Sequence, residues 1–318
     1  MIMKNKKIYK ILIIIVLTIF LTGCTKPLRT KNNKSITHPQ TGQTLTANIL
    51  CKPTNKKTIE IYQKNEKRLK KEYSVNYDKL PDCNKYKIMA NGYEGIWTTF
   101  FVQPLAWVIL KIGNIVKSYG LSLIITSLII RLIVFPLTKK MAMQSELLKE
   151  AQKEMKRIEK KYENKTDQAS MMKKSQEMSM VYKKHGINPM SSCLSSFIQI
   201  PLFFAFFEAI NRTPAIFEET FLHLQLGTTP MVAMSKGNYI YIILVILIGI
   251  TTYISFKMSS QDNAATQNMK NMPVMMTIMI VFMGIFMSAA LGIYWITTNL
   301  FIIFQNILVK RSKKNGKI

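Results

Sequence analysis

One charged side chain stands in the middle of an apolar run. The stretch SLIITSLIIRLIVFPLTKK, residues 122–140, places Arg131 among Ile, Leu, Val and Phe. A central arginine costs a membrane helix at least ~2.5–3.5 kcal/mol, and its guanidinium stays protonated. Such a group needs water, carbonyl oxygens or an anion, so Arg131 is a candidate for attracting acidic groups. Snorkelling is the competing interpretation, because Pro136 lies only roughly 8 Å further along the helix axis.

Polar side chains recur at helical spacing around this arginine and in later apolar segments. Ser and Thr in membrane helices often bond their own helix, but several polar stripes together with an arginine favour a wet cavity. The remaining halves of the same segments are aromatic and aliphatic, which argues against a channel. We therefore predict a groove open to the cytoplasm and inner leaflet, with Arg131 as its charge and a polar lining of Ser127, Ser192, Ser195, Ser196, Gln199, Thr252, Trp295, Thr298 and Gln305.

Other site chemistries find little support. The chain has three His and four Cys, with no CxxC and no HExxH, which disfavours a metal site or a Cys/His pair. Serines are plentiful, but the spans offer no His, Lys or Asp as a base, so an intramembrane protease is the weakest interpretation. We expect no enzymatic activity, no cofactor and no metal.

The first 23 residues have the pattern of a targeting signal. A basic start and a short apolar core precede LTGC, which ends at Cys24. This pattern is typical of the lipobox of bacterial lipoproteins, in which the Cys is acylated and becomes the mature N-terminus. In this interpretation residues 1–23 are a lipoprotein signal peptide, and Cys24 lies at the outer face of the cytoplasmic membrane. An uncleaved anchor is the alternative.

Five later segments are long and apolar enough to cross a bilayer. The fold class predicted is an all-α polytopic membrane protein with five transmembrane helices around a cytoplasm-open hydrophilic groove. The spans are 121–138, 188–210, 239–256, 272–288 and 290–309. Basic residues follow the first span, bracket the 257–271 loop and fill the 310–318 tail, so the positive-inside rule places these in the cytoplasm and the 211–238 loop outside. A lipid-anchored N-terminus outside followed by five crossings gives the same orientation.

Two segments outside the spans face the exterior in this scheme. Residues 24–92 are polar and Lys-rich, with a modest helical patch at 58–73, and we expect them to bury little core. Cys51 and Cys83 fall in this part, and whether they form a disulfide is an open question at this point. Residues 93–120 contain Trp97 and Trp107 and are predicted as an amphipathic helix on the outer surface; a sixth span is the alternative.

The cytoplasmic segment 139–187 has the pattern of a helical hairpin. Glu and Lys recur four residues apart along its first half, and NKTDQ makes the turn. The second half carries Met172, Met178 and Val181 and ends at Gly186. A solvated linker and a basic, Met-bearing docking surface are equally compatible with this composition.

Three motifs in this order resemble one known family. SLIITSLIIRLIVFPLTKKM, GINPMSSCLSSFIQIPLFFAFF and LGIYWITTNLFIIFQN are similar to motifs of the YidC/Oxa1/Alb3 membrane-protein insertases, and with LTGC the chain resembles the Gram-positive type. The resemblance covers about residues 93–310 and implies that Arg131 is the groove arginine. The chain departs from the family pattern at Ser195, Ser288 and Ala290, its basic tail is short, and 25–92 has no counterpart.

The resemblance implies insertion and chaperoning of small or Sec-delivered membrane proteins in the bacterial cytoplasmic membrane. The implied partners are nascent membrane proteins, the Sec translocon, the ribosome or signal recognition particle machinery, and the phospholipid bilayer, with no direct nucleic-acid binding. A small-anion transporter or a lipid scramblase using the Arg131 cavity is the alternative. A transporter predicts inverted repeats and helices broken by Gly or Pro, and the sequence has neither.

Overall fold

The computed structural model of the protein describes residues 25–188, 190–259 and 272–314, with the side chains of 190–197 and 314 left out. The described chain is mostly helical and forms two compact units. The first unit comprises Met1–Thr126, Leu202–Val245 and Gly284–Tyr294, and the second comprises Ser127–Pro201, Ile246–Met283 and Trp295–Ile318. The division falls within several long helices, which contribute residues to both units.

Eleven α-helices and one small hairpin are formed by the described residues, together with two 3-10 turns, Tyr77–Lys79 and Cys83–Lys85, and a π-helical turn, Thr98–Val102. In chain order, the elements are α1 Lys56–Lys64, α2 Glu66–Glu72, α3 Gln103–Val116, α4 Tyr119–Lys161, α5 Gln168–Lys184, α6 Met190–Arg212, α7 Pro214–Phe217, β1 Thr220–Phe221, β2 Leu224–Gln225, α8 Pro230–Ser235, α9 Tyr241–Ser259, α10 Met272–Phe286 and α11 Ala289–Lys314. The antiparallel hairpin pairs Thr220 with Gln225 and Phe221 with Leu224.

Several of these helices are long and apolar enough to cross a membrane. Among the described residues, four helical stretches are long and apolar enough to cross a bilayer: Thr98–Val116, Tyr119–Lys161, Tyr241–Ser259 and Ala289–Lys313. The apolar helix Met272–Phe286 is shorter. The protein is therefore a helical, multi-pass membrane protein. The count of five spans stays a prediction, as does the choice between a surface helix and a sixth span for 93–120.

Residues 25–92 are folded, so the expectation of little core in residues 24–92 is wrong. They form isolated bridges, such as Pro27 with Thr46, and two short helices. Their inward side chains make a core of Leu28, Leu45, Ala47, Ile49, Tyr62, Leu69, Tyr77, Leu80 and Phe217. Turns and single bridges place apolar residues at irregular spacing, which hides the core from periodicity. Phe217 comes from the distant 211–238 loop.

A disulfide and a polar contact add to this small core. Cys51 and Cys83, 32 residues apart, are bonded to each other. The Tyr62 hydroxyl, fully buried, donates to the Thr46 carbonyl oxygen at 2.5 Å. The pairing that the sequence left open is thus present.

Residues 93–120, which the sequence predicts at the outer surface, differ from that prediction at Trp97. Residues 98–102 form a π-helical turn that continues into α3, and Lys117 ends α3 in the left-handed conformation. Trp97 is not at an interface: it is 3% exposed. Its indole Nε1 donates to Glu208 Oε1 at 2.9 Å. An aromatic ring that a sequence places at a membrane surface is here a buried donor.

The first helix of the second unit runs far beyond the predicted span. α4 continues through Pro136 and residue 138 to Lys161, so no helix end separates the apolar run from the charged hairpin. Asp167 caps α5 by accepting from Ser170 N at 2.8 Å. α4 and α5 pack antiparallel through Leu148, Ala151, Met155 and Val181, and Ile187, just after α5, joins the same cluster.

Candidate functional site

The arginine of the apolar run is buried and hydrogen-bonded. Arg131 lies on α4 with 4% of its surface exposed. Its Nη2 donates to Oε1 of Gln199, which lies on α6. Burying a guanidinium is costly unless polar partners replace its water. A neutral amide acceptor leaves the positive charge of Arg131 uncancelled by that contact.

A second polar contact group is centred on Thr252 of α9. Thr252 is fully buried, and its Oγ1 accepts from Trp295 Nε1 at 3.0 Å and from Asn299 Nδ2 at 3.0 Å. Both donors belong to α11 and lie one turn apart. Two donors on one hydroxyl fix the register of α11 against α9. A second polar contact between the same two helices is the hydrogen bond from Asn306 Nδ2 to Ser259 Oγ at 3.1 Å.

A reciprocal amide contact links α4 to α11. Thr138 Oγ1 donates to Gln305 Oε1 at 2.8 Å, and Gln305 Nε2 donates to the Thr138 carbonyl oxygen at 3.0 Å. Phe135 and Phe301 meet edge-to-face nearby, with ring centroids 6.1 Å apart. Thr138 lies seven residues, two helical turns, beyond Arg131. The α4 face carrying Arg131 therefore also carries the α11 contact.

The residues predicted to line the groove form three groups: those with a hydrogen bond to a neighbouring helix, those that are buried, and those whose side chains are not described. Arg131 meets Gln199, Thr252 meets Trp295, and Gln305 meets Thr138. Ser127 and Thr298 are buried at 1% and 2% exposure. The side chains of Ser192, Ser195 and Ser196 lie outside the described residues, as does Cys24. That these residues line a groove stays a prediction.

The charged hairpin carries exposed ion pairs across its two helices. Lys184 Nζ lies 2.9 Å from Glu154 Oε1, and Lys161 Nζ lies 2.6 Å from Glu177 Oε1. The hydrogen bond from Lys184 is the largest cause lowering the pKa of Glu154, and the bond from Lys161 does the same to the pKa of Glu177. At neutral pH both carboxylates are ionised and paired.

A buried charged cluster in the first unit was missed from the sequence. Arg212, 1% exposed, ends α6; its Nη2 donates to Glu94 and its Nε donates to the Asn48 carbonyl oxygen at 2.7 Å. Glu208 Oε2 lies 3.8 Å from Arg212 Nη1, and Leu50 N donates to the Arg212 carbonyl oxygen at 2.8 Å. The i,i+4 spacing of Glu208 and Arg212 was the available signal.

The adjacent carboxylates of Glu218 and Glu219 form further hydrogen bonds within the first unit. Glu218 accepts from Thr54 N at 2.8 Å and from Thr54 Oγ1 at 2.9 Å. Glu219 accepts from Ser118 Oγ at 2.7 Å and from the backbone N–H of Tyr119 at 2.5 Å. Glu218 thus links the 211–238 loop to residues 25–92. Glu219 accepts hydrogen bonds from backbone N–H groups at the start of α4, which have no acceptor within their own helix. No group of three His, Cys, Asp or Glu suited to a metal ion occurs among the described residues.

Comparison with known proteins gives one consistent answer. The family model described as 60Kd inner membrane protein matches residues 111–316. A membrane protein insertase YidC of Oceanobacillus iheyensis is 36% identical over 226 residues, 69% of this chain and 85% of the relative. Membrane protein insertase YidC 2 of Bacillus anthracis is 38% identical over 218 residues, 68% of this chain and 82% of the relative.

A third relative and one solved structure are also similar to this chain. Membrane protein insertase MisCA of Bacillus subtilis is 36% identical over 216 residues, 67% of this chain and 79% of the relative. The crystal structure of an active YidC insertase with its first transmembrane domain resolved gives a TM-score of 0.44 at 21% identity, covering 77% of this chain and 53% of that one. This chain thus spans about half the length of that solved protein. The extent of the family match and the identity to these relatives show that the chain belongs to the YidC family of membrane protein insertases, the 60Kd inner membrane proteins.

Proposed function

We propose that this protein inserts small or Sec-delivered membrane proteins into the bacterial cytoplasmic membrane and helps them to fold. The polar flank of a substrate enters a hydrophilic groove lined by α4, α6, α9 and α11, and the apolar span leaves sideways into lipid. The observation that carries this proposal is Arg131, buried within an apolar helix and hydrogen-bonded to the neutral amide of Gln199.

The contacts of Arg131 favour the groove over snorkelling. Its guanidinium is held by a side chain of a neighbouring helix instead of extending along α4 past Pro136. Thr252, Asn299 and Gln305 place further polar groups on the facing helices. Since Arg131 is only 4% exposed, the groove must widen between α4 and α6 before a substrate contacts it.

The mechanism is physical and forms no covalent intermediate. Polar side chains replace water around the substrate flank stepwise, which lowers the barrier to crossing hydrocarbon. Arg131 attracts acidic residues of that flank, and the attraction grows in a low dielectric. Transfer of the apolar span into lipid supplies about 25 cal/mol per Å2 removed from water, and the membrane potential acts on charged flanks.

The proposed topology has five crossings with the C-terminus in the cytoplasm. Cys24 is acylated and residues 25–92 lie outside, which is supported by LTGC and by the Cys51–Cys83 disulfide, since disulfides persist in oxidising compartments. The α4–α5 hairpin and the basic tail are then cytoplasmic. In that position they face the proposed partners: the Sec translocon and the ribosome or signal recognition particle machinery.

Reconstitution tests this function against its alternatives. Purified protein in liposomes receives a single-span substrate, and protease-protected substrate is compared with protein-free liposomes. Insertion predicts protection that requires the protein. Protection at the protein-free level, combined with transport of small anions or scrambling of labelled lipid, would replace the proposal by one of those two functions.

A further inference from the structure

The 25–92 domain lies outside the part of the chain that matches the family, so its surface needs its own explanation. Residues 25–92 contain fifteen Lys and Arg against five Asp and Glu, a net charge of +10. Exporting positive charge opposes a membrane potential that is negative inside. A basic surface retained at that cost indicates an anionic partner on the outside.

Three of these lysines make one outward surface, here called the α2 lysine face: Lys67, Lys70 and Lys71. All three are exposed and follow i, i+3, i+4 spacing on α2. The opposite side of α2 is anchored by Leu69, which is fully buried in the domain core. The face is therefore rigidly presented and turned away from the core.

The charge of this face is only partly offset within the protein. None of the three lysines forms an ion pair within 4 Å of another residue in the described ranges. The carboxylate of Glu72 is occupied by Arg68, whose Nε lies 2.9 Å from Glu72 Oε1. Glu66 interacts with Lys70 one turn away and forms a side-chain hydrogen bond with Asp78. The remaining positive charge of three ammonium groups on five consecutive residues attracts anions at physiological ionic strength over about 8 Å.

Contacts of α2 place this face close to the start of the mature chain. Arg68 Nη1 donates to the Arg29 carbonyl oxygen at 2.5 Å, and the Tyr73 hydroxyl donates to the Pro27 carbonyl oxygen at 3.3 Å. Pro27 is three residues from Cys24, a reach of at most ~11 Å. If Cys24 carries the acyl chains, α2 lies next to the level of the lipid head groups.

The same domain is also fixed to the end of a membrane helix. Leu50 N and the Asn48 carbonyl oxygen both bond Arg212, the last residue of α6. A domain held by a lipid at one point and by a helix end at another cannot rotate freely away from the bilayer. Anionic phospholipid is the polyanion that this geometry brings within reach of the lysines.

We propose that the α2 lysine face binds anionic phospholipid head groups of the outer leaflet and holds the 25–92 domain against the membrane. The proposal goes beyond insertion. It rests on the proposed acylation of Cys24 and the outer location of residues 25–92. The test uses no substrate, so its failure would leave the insertase proposal untouched.

Amine labelling of the full-length protein tests this binding. The protein is placed in nanodiscs of phosphatidylcholine alone or with 30 mol% phosphatidylglycerol, and acetylation of each lysine is followed by peptide mass spectrometry. Labelling of Lys67, Lys70 and Lys71 should slow at least threefold in the anionic discs and recover at 500 mM salt. Exposed Lys34 and Lys79 of the same domain serve as internal references and should change little.

A pair of matched variants separates this face from net charge. K70Q/K71Q should remove most of the excess phosphatidylglycerol that co-purifies with the protein, whereas K34Q/K79Q, with the same charge loss, should not. Equal labelling in both kinds of disc would overturn the proposal, as would equal lipid loss in both variants. Protection that requires an added acidic peptide, and not the anionic lipid, would instead assign the face to a protein partner.

Discussion

Replacing the acceptor of Arg131 by a carboxylate separates the two roles that this arginine can play. Gln199→Glu keeps an oxygen where Arg131 Nη2 now donates and adds a charge that neutralises the guanidinium. An acidic substrate residue about 6 Å from the Arg131 guanidinium gains about 3 kcal/mol at an effective dielectric constant of about 20. Neutralising Arg131 removes most of that attraction.

The expected result is a loss confined to acidic substrates. Insertion of a single-span protein with two acidic residues in its translocated flank should fall at least tenfold in Gln199→Glu, measured as the initial rate of protease protection in liposomes. A substrate with the acidic residues changed to Asn or Gln should insert at the wild-type rate. Thermal stability should stay at or above wild type, because the contact becomes charge-assisted.

Gln199→Leu provides the matched control. It removes the acceptor without neutralising Arg131, at a cost of about 1.5–3 kcal/mol for a lost hydrogen bond to a charged group. Its thermal midpoint should therefore drop, while its preference for acidic over neutral flanks remains. Unchanged insertion of the acidic substrate by Gln199→Glu would refute electrostatic attraction and leave Arg131 a role in hydrating the groove.

Three further predictions concern stability. Replacing Cys51 and Cys83 by Ser opens a 32-residue loop and should lower the free energy of unfolding of the first unit by about 3–4 kcal/mol, measured by denaturant titration with and without reductant. Arg212→Leu leaves the buried carboxylate of Glu208 and the half-buried one of Glu94 without their cation and should cost about 3–5 kcal/mol by the same titration. The pKa values of Glu154 and Glu177 are lowered in the folded hairpin, so their stabilisation is present above the unfolded pKa near 4.5 and is lost as the pH falls through the folded values; the thermal midpoint should drop between pH 5 and 3.

Each of the three stability predictions has a control and an outcome that would contradict it. Reductant should not change the denaturant midpoint of the Cys51/Cys83 variant, and a wild-type midpoint insensitive to reductant would show that the bond adds nothing. Arg212→Lys should recover part of the loss, and full stability of Arg212→Leu would show that the cluster is dispensable. A Glu154→Gln, Glu177→Gln variant should flatten the acid slope, and an unchanged slope would assign it to other groups.

The sequence exposed those features whose signal lies within one helix. Arg131 is visible because a charge interrupts an apolar run, and Gln199, Thr252 and Gln305 because polar residues recur at helical spacing. Their pairings, such as Trp295 with Thr252, require the packing of separate helices.

Features that join distant segments stayed hidden. The core of the 25–92 domain includes Phe217, which lies more than a hundred residues away. Arg212 meets Glu94 from another segment of the first unit. Trp97 has the composition of a surface anchor, yet the carboxylate of Glu208 accepts its indole N–H inside the protein. Such contacts have no local periodicity to reveal them.

The central claim is that substrates pass a groove in which Arg131 acts. The most direct measurement compares wild type with Arg131→Ala in liposomes, scoring protease protection of a small single-span substrate with an acidic translocated flank. The account predicts protection by wild type and its loss in a folded Arg131→Ala variant, with recovery in Arg131→Lys. Equal protection by wild type and Arg131→Ala would contradict the role of Arg131, and no protection by folded wild type above empty liposomes would contradict insertion itself.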